Sequence, residues 1–148
     1  MSALSLSLTW VPPEGIHPPG SLPAPAVADH RQVLAFPAAG HDTPERAAFT
    51  AGVAFGLWGL AAEDVARLTL LARELTAHVT ARTASEHVIV ISDYAAGDAT
   101  LTVIALQGHA RGPLTPRELP HVEPHDETGV VQDVMGPSAS VRVRAVRP

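Results

Sequence analysis

The sequence predicts an α/β (α+β) two-layer sandwich in which helices cover one face of a mainly antiparallel sheet. Two observations predict this class. Residues from Glu63 to about Arg82 carry apolar side chains with a helical period. Two apolar runs, 88–91 and 101–106, flank a polar turn as the strands of a hairpin do. The predicted order is strand, helix, helix, hairpin, loop, helix, strand, so helices and strands do not alternate regularly.

The chain begins with an alternating segment that is followed by a proline-rich one. Residues 4–10 place Leu or Trp at every second position, between Ser and Thr, which predicts a strand with one apolar face. Prolines recur through residues 12–25 and predict a stiff connector, either an ordered coil lying on the domain or a peptide ligand for a partner. We therefore divide the chain into an N-terminal strand with a proline-rich segment, 1–30, and a sandwich domain, 31–148.

Two helices are predicted after a short strand at 33–36. The first begins near Thr43, whose hydroxyl can cap it, and ends at Gly59. Gly52 and Gly56 on this helix permit the close approach of another element. The second helix has an apolar stripe that faces a core. The stripe consists of Val65, Leu68, Ala72, Leu75 and Val79.

The hairpin strands are apolar on both faces. Ile89, Ile91 and Val103 predict a second apolar sheet face, and the candidates to cover it are the N-terminal strand, a second copy of the chain in a homodimer, and a partner. Residues 108–128 lack periodicity and form a loop of a length that is often functional.

The end of the chain is predicted to be a helix followed by a strand. Val130, Val131, Val134 and Met135 indicate a short helix that stops at Gly136-Pro137. Residues 141–145 then alternate apolar side chains with arginines, as a half-exposed strand does.

The charge composition excludes several classes of function. The 148 residues include 15 Asp and Glu and 10 Arg, with no Lys, so the formal net charge is −5. Because an acidic chain has no broad basic face, binding to nucleic acid is not expected.

The absence of Cys excludes disulfides, thiolate chemistry and Cys-ligated zinc. Neither an export signal nor a run of about 18 apolar residues is visible, so we expect a soluble, cytoplasmic protein without membrane contact.

Three short segments carry a resemblance to a known family. They are Phe-Pro at 36–37, Trp-Gly-Leu at 58–60 and Ala-Arg-Glu-Leu-Thr-Ala-His at 72–78. In this element order, the chain resembles the bacterial anti-sigma-factor serine kinases over roughly residues 31–147. The resemblance implies the histidine kinase-like ATPase fold, which Hsp90 shares. It also implies three motifs that hold ATP and magnesium.

The first motif lies on the second helix. The resemblance implies that Glu74 is the catalytic residue that orients or deprotonates the attacking group, and that His78 replaces the Asn that binds magnesium. Both side chains lie on one side of the helix, about 40° apart, with Arg67 between them in angle. Because imidazole prefers softer metals, magnesium–ATP binding is expected to be weakened. Alternatively, Glu74 is solvated or paired with Arg67 or Arg73, and His78 is a half-buried, hydrogen-bonded side chain.

The other two motifs are altered. Gln107 stands where the family has the Asp that accepts a hydrogen bond from adenine. Of the Gly-x-Gly that opens the family's last helix, Gly129 remains, and the carboxylates of Asp126 and Glu127 before it oppose phosphates there. The glycines that would shape a phosphate lid are Gly108, Gly112 and Gly129.

The long loop also carries a cluster of potential metal ligands. His121, Glu123, His125 and Asp126 lie close together in sequence, with His109 upstream. Their spacing matches no established ligand pattern, so an exposed polar loop is the preferred interpretation. A metal-binding or small-ligand module remains a third hypothesis.

These observations lead to one expected function and one main alternative. We expect a regulatory protein-binding domain resembling an anti-sigma factor, with nucleotide binding weakened or lost and no cofactor required, low-affinity binding of ATP and Mg²⁺ being left open. Its expected partner is a sigma factor or an antagonist-like regulator. The alternative is an active but divergent ATP-dependent anti-sigma-factor serine/threonine kinase, with Glu74 as base, His78 as metal ligand and Gln107 as adenine acceptor.

Overall fold

The computed structural model describes residues 4–5 and 30–145 of the chain, and only the backbone of residues 4, 5 and 133. The proline-rich segment 12–25 and most of the predicted strand 4–10 lie outside the described residues. The elements, in chain order, are β1 Leu4–Ser5, β2 His30–Pro37, α1 Thr43–Leu57, α2 Ala62–Arg82, β3 Thr83–Ala84, β4 His87–Ala95, β5 Asp98–Ala105, β6 His109–Ala110, a 3₁₀ turn Pro116–Glu118, β7 Glu127–Asp133 and β8 Gly136–Arg144.

Six strands form one sheet in the order β1-β2-β4-β5-β8-β7, and every neighbouring pair is antiparallel. β3 and β6 form a separate ribbon of two residues each. α1 lies over β2 and β4, while α2 lies over β5 and β8. The predicted α+β class with a mainly antiparallel sheet is therefore confirmed. The finer ATPase fold stays a prediction.

The core lies between the two helices and one face of the sheet. Leu34, Val90, Val103 and Ala139 stand opposite one another on four neighbouring strands and are all buried. Directly opposed residues of antiparallel strands share a face, so this row turns towards the helices. Most of the predicted stripe of α2 packs onto it. The fully buried members are Leu68, Ala72, Leu75 and Val79.

The second sheet face differs from its prediction at one residue. Ile89 stands opposite Ile104 and, like Ile91, lies on the face away from the helices, as expected. Val103 does not, because its register partner is Val90 and both belong to the helix-side core. The homodimer inferred from this second face stays a prediction.

The helix predicted over residues 130–135 is wrong. These residues belong to β7 and to the turn that joins β7 to β8, with Val130 opposite Ala139 and Val131 opposite Ser138. Adjacent β-branched residues favour a strand, and Gly136, which was expected to stop a helix, begins β8 instead. The predicted alternation in the last strand is confirmed, since Val141 and Val143 are buried and the intervening Arg142 is exposed.

The helices begin and end close to the predicted residues. Gly59 follows α1 with a φ of +88°, a conformation that favours glycine at a helix end. The predicted cap is wrong, because the Thr43 hydroxyl donates a hydrogen bond to the Pro37 carbonyl at 2.6 Å. Gly52 does permit close approach, since a Cβ there would lie 2.5 Å from Oγ1 of Thr69 on α2. The same prediction for Gly56 is wrong, because an added Cβ there would meet nothing within 4 Å. Neither described helix has the length and apolar character that crossing a bilayer requires.

Candidate functional site

The candidate site is the face of α2 that bears Arg67, Glu74 and His78. Residues 111–126, which we call the covering loop, follow β6 and run along this face before entering β7. The loop contacts all three side chains through hydrogen bonds. These hydrogen bonds join α2 to residues far along the chain, from Thr115, 37 residues after His78, to Asp126, 59 residues after Arg67.

An ion pair fixes the end of the covering loop. Arg67 Nη1 lies 2.7 Å from Asp126 Oδ2, and Nη2 lies 3.0 Å from Oδ1, so the guanidinium holds both carboxylate oxygens. The Asp126 side chain is fully buried and the Arg67 side chain is 18% exposed. Sequence reasoning placed Arg67 on this face but offered Glu74 as its partner. The structure pairs it with Asp126.

The ion pair shifts both pKa values. The hydrogen bond to Asp126 raises the pKa of Arg67 against the opposing effect of burial. Burial favours a higher pKa for Asp126, but the hydrogen bonds from Arg67 and from the Glu123 N–H outweigh it, so the pKa of Asp126 is lowered. Both groups are therefore charged at neutral pH.

Arg117 holds the covering loop to itself. Its Nη2 donates to the Asp126 carbonyl at 2.5 Å, and its Nη1 donates to the Glu123 carbonyl at 3.0 Å. The Glu123 N–H in turn donates to Asp126 Oδ2 at 2.8 Å. Arg67 thus binds this turn through the Asp126 carboxylate, and Arg117 binds it through main-chain carbonyls. Sequence reasoning missed Arg117, since main-chain acceptors leave no pattern in a sequence.

Glu74 faces the middle of the covering loop. Its Oε1 accepts a hydrogen bond from the His121 N–H at 3.2 Å, and its Oε2 contacts Nδ1 of the same residue. The Arg67 guanidinium also donates to the His121 carbonyl at 3.1 Å. Both carboxylate oxygens of the expected catalytic residue are therefore engaged within the chain.

His78 faces the start of the covering loop. The Thr115 N–H donates to Nε2 at 2.8 Å, and Nε of Arg82 lies 3.3 Å from Nδ1. Both contacts are made by N–H donors, and a neutral imidazole accepts at one nitrogen only, so the shorter contact at Nε2 is the stronger hydrogen bond. Burial, followed by the charge of Arg82, lowers the pKa of His78, although Glu118 opposes this. Each ring nitrogen of His78 thus already faces an N–H donor of the chain.

We expect His78→Gln to flatten the pH dependence of stability. The pKa of His78 is lowered from 6.5 in the folded chain, so the unfolded chain binds this proton first as the pH falls. The wild-type free energy of unfolding should therefore decrease below about pH 6.5. In the variant, the glutamine side-chain oxygen can still accept a hydrogen bond from the Thr115 N–H, but it does not titrate. The decrease in the free energy of unfolding that comes from His78 should therefore be absent. Urea unfolding between pH 8 and 5 measures it, and equal slopes in the two proteins would contradict the interpretation.

The remaining predicted site residues lie in other places. Gln107 follows β5 with a φ of +50°, and its N–H donates to the Met135 carbonyl at 2.6 Å. It lines an open groove of about 710 Å³ together with residues 83–87, and Glu74 does not. Gly108 packs against the Ala84 carbonyl, which a Cβ would approach to 2.5 Å.

Two glycines complete the predicted set. Gly112 lies beside Arg82, whose Nη1 would be 3.9 Å from an added Cβ. Gly129 stands opposite Ser140 inside β7. It was expected at the start of a helix, and that context is wrong because β7 is a strand. Glu74 and His78 thus both face the covering loop, whereas Gln107 lies in the turn after β5 and Gly129 lies in β7.

The covering loop also contains His121 and His125 of the metal hypothesis, while His109 lies in β6. His125 Nε2 lies 3.2 Å from Glu123 Oε2, while His121 is turned to Glu74. Among residues 30–145, no group of three or more His, Asp or Glu side chains is placed to hold a metal ion. A search against protein-family models finds none that matches this chain, and a search of curated proteins finds none that is significantly similar.

Proposed function

We propose that this chain is a regulatory protein-binding domain resembling an anti-sigma factor, in which nucleotide binding is weakened or lost. One observation carries the proposal: the covering loop already occupies the polar atoms of Glu74 and His78. These are the groups that the resemblance assigns to catalysis and to the cation. A sigma factor or an antagonist-like regulator is the proposed partner.

The donor set of the α2 face supports the loss of nucleotide chemistry. Magnesium requires several hard oxygen ligands, and His78 offers a nitrogen that is already hydrogen-bonded. The Asp126 carboxylate is buried against Arg67, and no helix begins at Gly129 in the described chain to direct free N–H groups at phosphates. These residues do not fit a magnesium–triphosphate group.

A nucleotide would also have to displace the covering loop. Opening it would break the hydrogen bonds to Glu74 and His78 and would separate a buried ion pair. Separating such a pair costs about 3–5 kcal/mol when one partner stays buried. A ligand would have to repay this cost before any net binding appeared.

Exposed apolar side chains support a protein-binding role. Phe49, Val53 and Leu57 of α1 are exposed, as are four residues of the β7–β8 hairpin, Val130, Val131, Val134 and Met135. Apolar patches of this kind on a small domain are typical of protein interaction sites.

We expect magnesium–ATP to leave the melting temperature of the purified chain unchanged. A ligand at about 100 times its Kd adds about 2.7 kcal/mol of stability, which raises Tm by several degrees in a domain of this size. Differential scanning calorimetry with millimolar ATP and magnesium measures this. A rise that His78→Ala abolishes would contradict the proposal. Phosphate transfer from ATP to a partner's serine, lost in Glu74→Gln, would establish the kinase alternative.

The protein-binding half of the proposal has its own measurement. Purified sigma factors and antagonist-type regulators are immobilised one at a time, and binding of the full chain is followed by interferometry with and without ATP. Binding of micromolar Kd or tighter that is independent of ATP is expected. Binding that requires ATP, or no binding to any of them, would count against the proposal.

A further inference from the structure

The outer surface of α1 carries an uncovered apolar stripe. Phe49, Val53 and Leu57 are 70%, 45% and 80% exposed and follow one another at intervals of four residues, so they lie along one side of the helix. Gly56 lies beside them, and an added Cβ there would meet nothing within 4 Å. We call these three side chains the α1 stripe. They form a continuous apolar strip about two turns long.

An apolar pocket adjoins the N-terminal end of the α1 stripe. It has a volume of about 290 Å³ and is lined by Phe36, Glu45, Arg46, Phe49 and Thr50. The buried Phe36 ring is 5.6 Å from the Arg46 guanidinium carbon, so this cation is held over an aromatic face. A pocket of this size accepts one large apolar side chain, as the anchors of protein interfaces require.

Acidic residues stand at both ends of the α1 stripe. Asp42 and Glu45 precede or open α1, and Glu63 and Asp64 follow Leu57 in the sequence and lie in the first turn of α2. Between residues 38 and 66 the sequence has these four carboxylates and one guanidinium, that of Arg46, and Arg67 on α2 interacts with the charge of Asp64. A partner with cations at both ends of an apolar surface therefore complements this one.

We infer that the α1 stripe and its pocket bind an amphipathic helix of another protein, with an apolar face and Arg or Lys residues at both ends. This inference rests on the proposed protein-binding function and names the chemistry of the partner. An amphipathic helix places apolar side chains at the same spacing as the α1 stripe, and one of them enters the pocket. The flanking cations lie near the acidic ends.

A second copy of this chain fits the same surface poorly. Two α1 helices packed in either direction would bring acidic ends against acidic ends, which opposes association. A separate helix with cations at both ends avoids this repulsion.

The test uses a fluorescent helical peptide with leucines at intervals of four residues and paired arginines at each end. A matched peptide carries glutamates in place of the arginines. Fluorescence anisotropy with the full chain should show binding of the arginine peptide at least about tenfold tighter than that of the glutamate peptide. The double variant Val53→Gln, Leu57→Gln should weaken it by a similar factor. Ala77→Gln, at an exposed position of α2, is the matched control and should bind like the wild type.

A charge exchange makes the test sharper. In the variant Glu45→Arg, Glu63→Arg the preference between the two peptides should reverse, and circular dichroism checks that each variant is folded. Equal binding by wild type and the stripe variant would overturn the inference. So would a concentration-dependent dimer that Leu57→Gln abolishes, since a second copy would then be the occupant.

Failure here and failure of the proposed function give different results. If the chain binds a sigma factor without ATP but binds neither peptide, only the inference about the α1 stripe is refuted. A chain whose melting temperature rises with magnesium–ATP refutes the loss of nucleotide binding, whatever the peptides do.

Discussion

Asp126→Ala is expected to lower the free energy of unfolding by about 3 kcal/mol, because it leaves the largely buried Arg67 guanidinium without its carboxylate. Glu127→Ala is the matched control, since this neighbouring carboxylate is exposed and lies 3.5 Å from Arg142. It should change stability by less than about 0.5 kcal/mol. Urea unfolding monitored by circular dichroism measures both variants, and similar small losses in the two would show that the ion pair is not stabilising the loop.

A double-mutant cycle separates the ion pair from the rest of the side chain. Arg67→Met combined with Asp126→Ala removes both charges, and the combined loss should be about 2 kcal/mol smaller than the sum of the single losses. Hydrogen exchange adds a local measurement. The Thr115 and His121 amides, which donate to α2, should exchange faster in Asp126→Ala if the ion pair holds the covering loop closed.

The pH dependence of this effect has a definite sign. The pKa of Asp126 is lowered from 3.8 in the folded chain, so its stabilisation is complete above the ordinary pKa and is lost as the pH falls below it. The difference in stability between wild type and Asp126→Ala should stay constant from pH 7 to about 5 and shrink below about pH 4. A difference that grows in acid would contradict the assignment.

Gly136→Ala is expected to cost about 3 kcal/mol or more. Gly136 has a φ of +131°, and an added Cβ would lie 2.0 Å from the Ala105 carbonyl oxygen. The clash is with backbone at the end of β5, which cannot rotate away as a side chain can, and the φ value adds further strain. The same turn holds the hydrogen bond from the Gln107 N–H to the Met135 carbonyl.

Gly56→Ala is the control for this substitution. Gly56 lies in α1 with open space around its Cα, so an alanine there should be neutral or stabilise the chain by up to about 1 kcal/mol through helix propensity. Thermal unfolding of both variants distinguishes the two glycines. Equal melting temperatures would mean that the β7–β8 turn shifts to accommodate the added Cβ without a loss of stability.

Periodicity predicted α2 well and failed for β7, because the two apolar segments differ in length. The apolar residues of α2 repeat over more than five turns, so only one period fits them. Residues 130–135 span less than two helical turns, and their four apolar side chains fit a strand as well as a helix. The strand pairing with β8, which depends on the rest of the sheet, decides between them.

The candidate site was predictable in its positions and not in its contacts. Helical spacing placed Arg67, Glu74 and His78 on one face of α2, and the structure confirms that the covering loop meets all three there. The partners could not be foreseen, because Asp126 lies 59 residues from Arg67 and the Thr115 N–H is a main-chain group that every residue but proline has. The spacing of side chains along one helix does not indicate which other segment of the chain will pack against it.

The position of β7 at the end of the sheet has a consequence for handling the protein. No strand of the described chain pairs with its outer side, and Val130 and Val131 are about half exposed there. The strand contains neither proline nor lysine, the residues that most often protect such edges from joining another molecule. We therefore expect heating and high concentration to favour aggregation through this strand, and thermal unfolding is best followed in dilute solution.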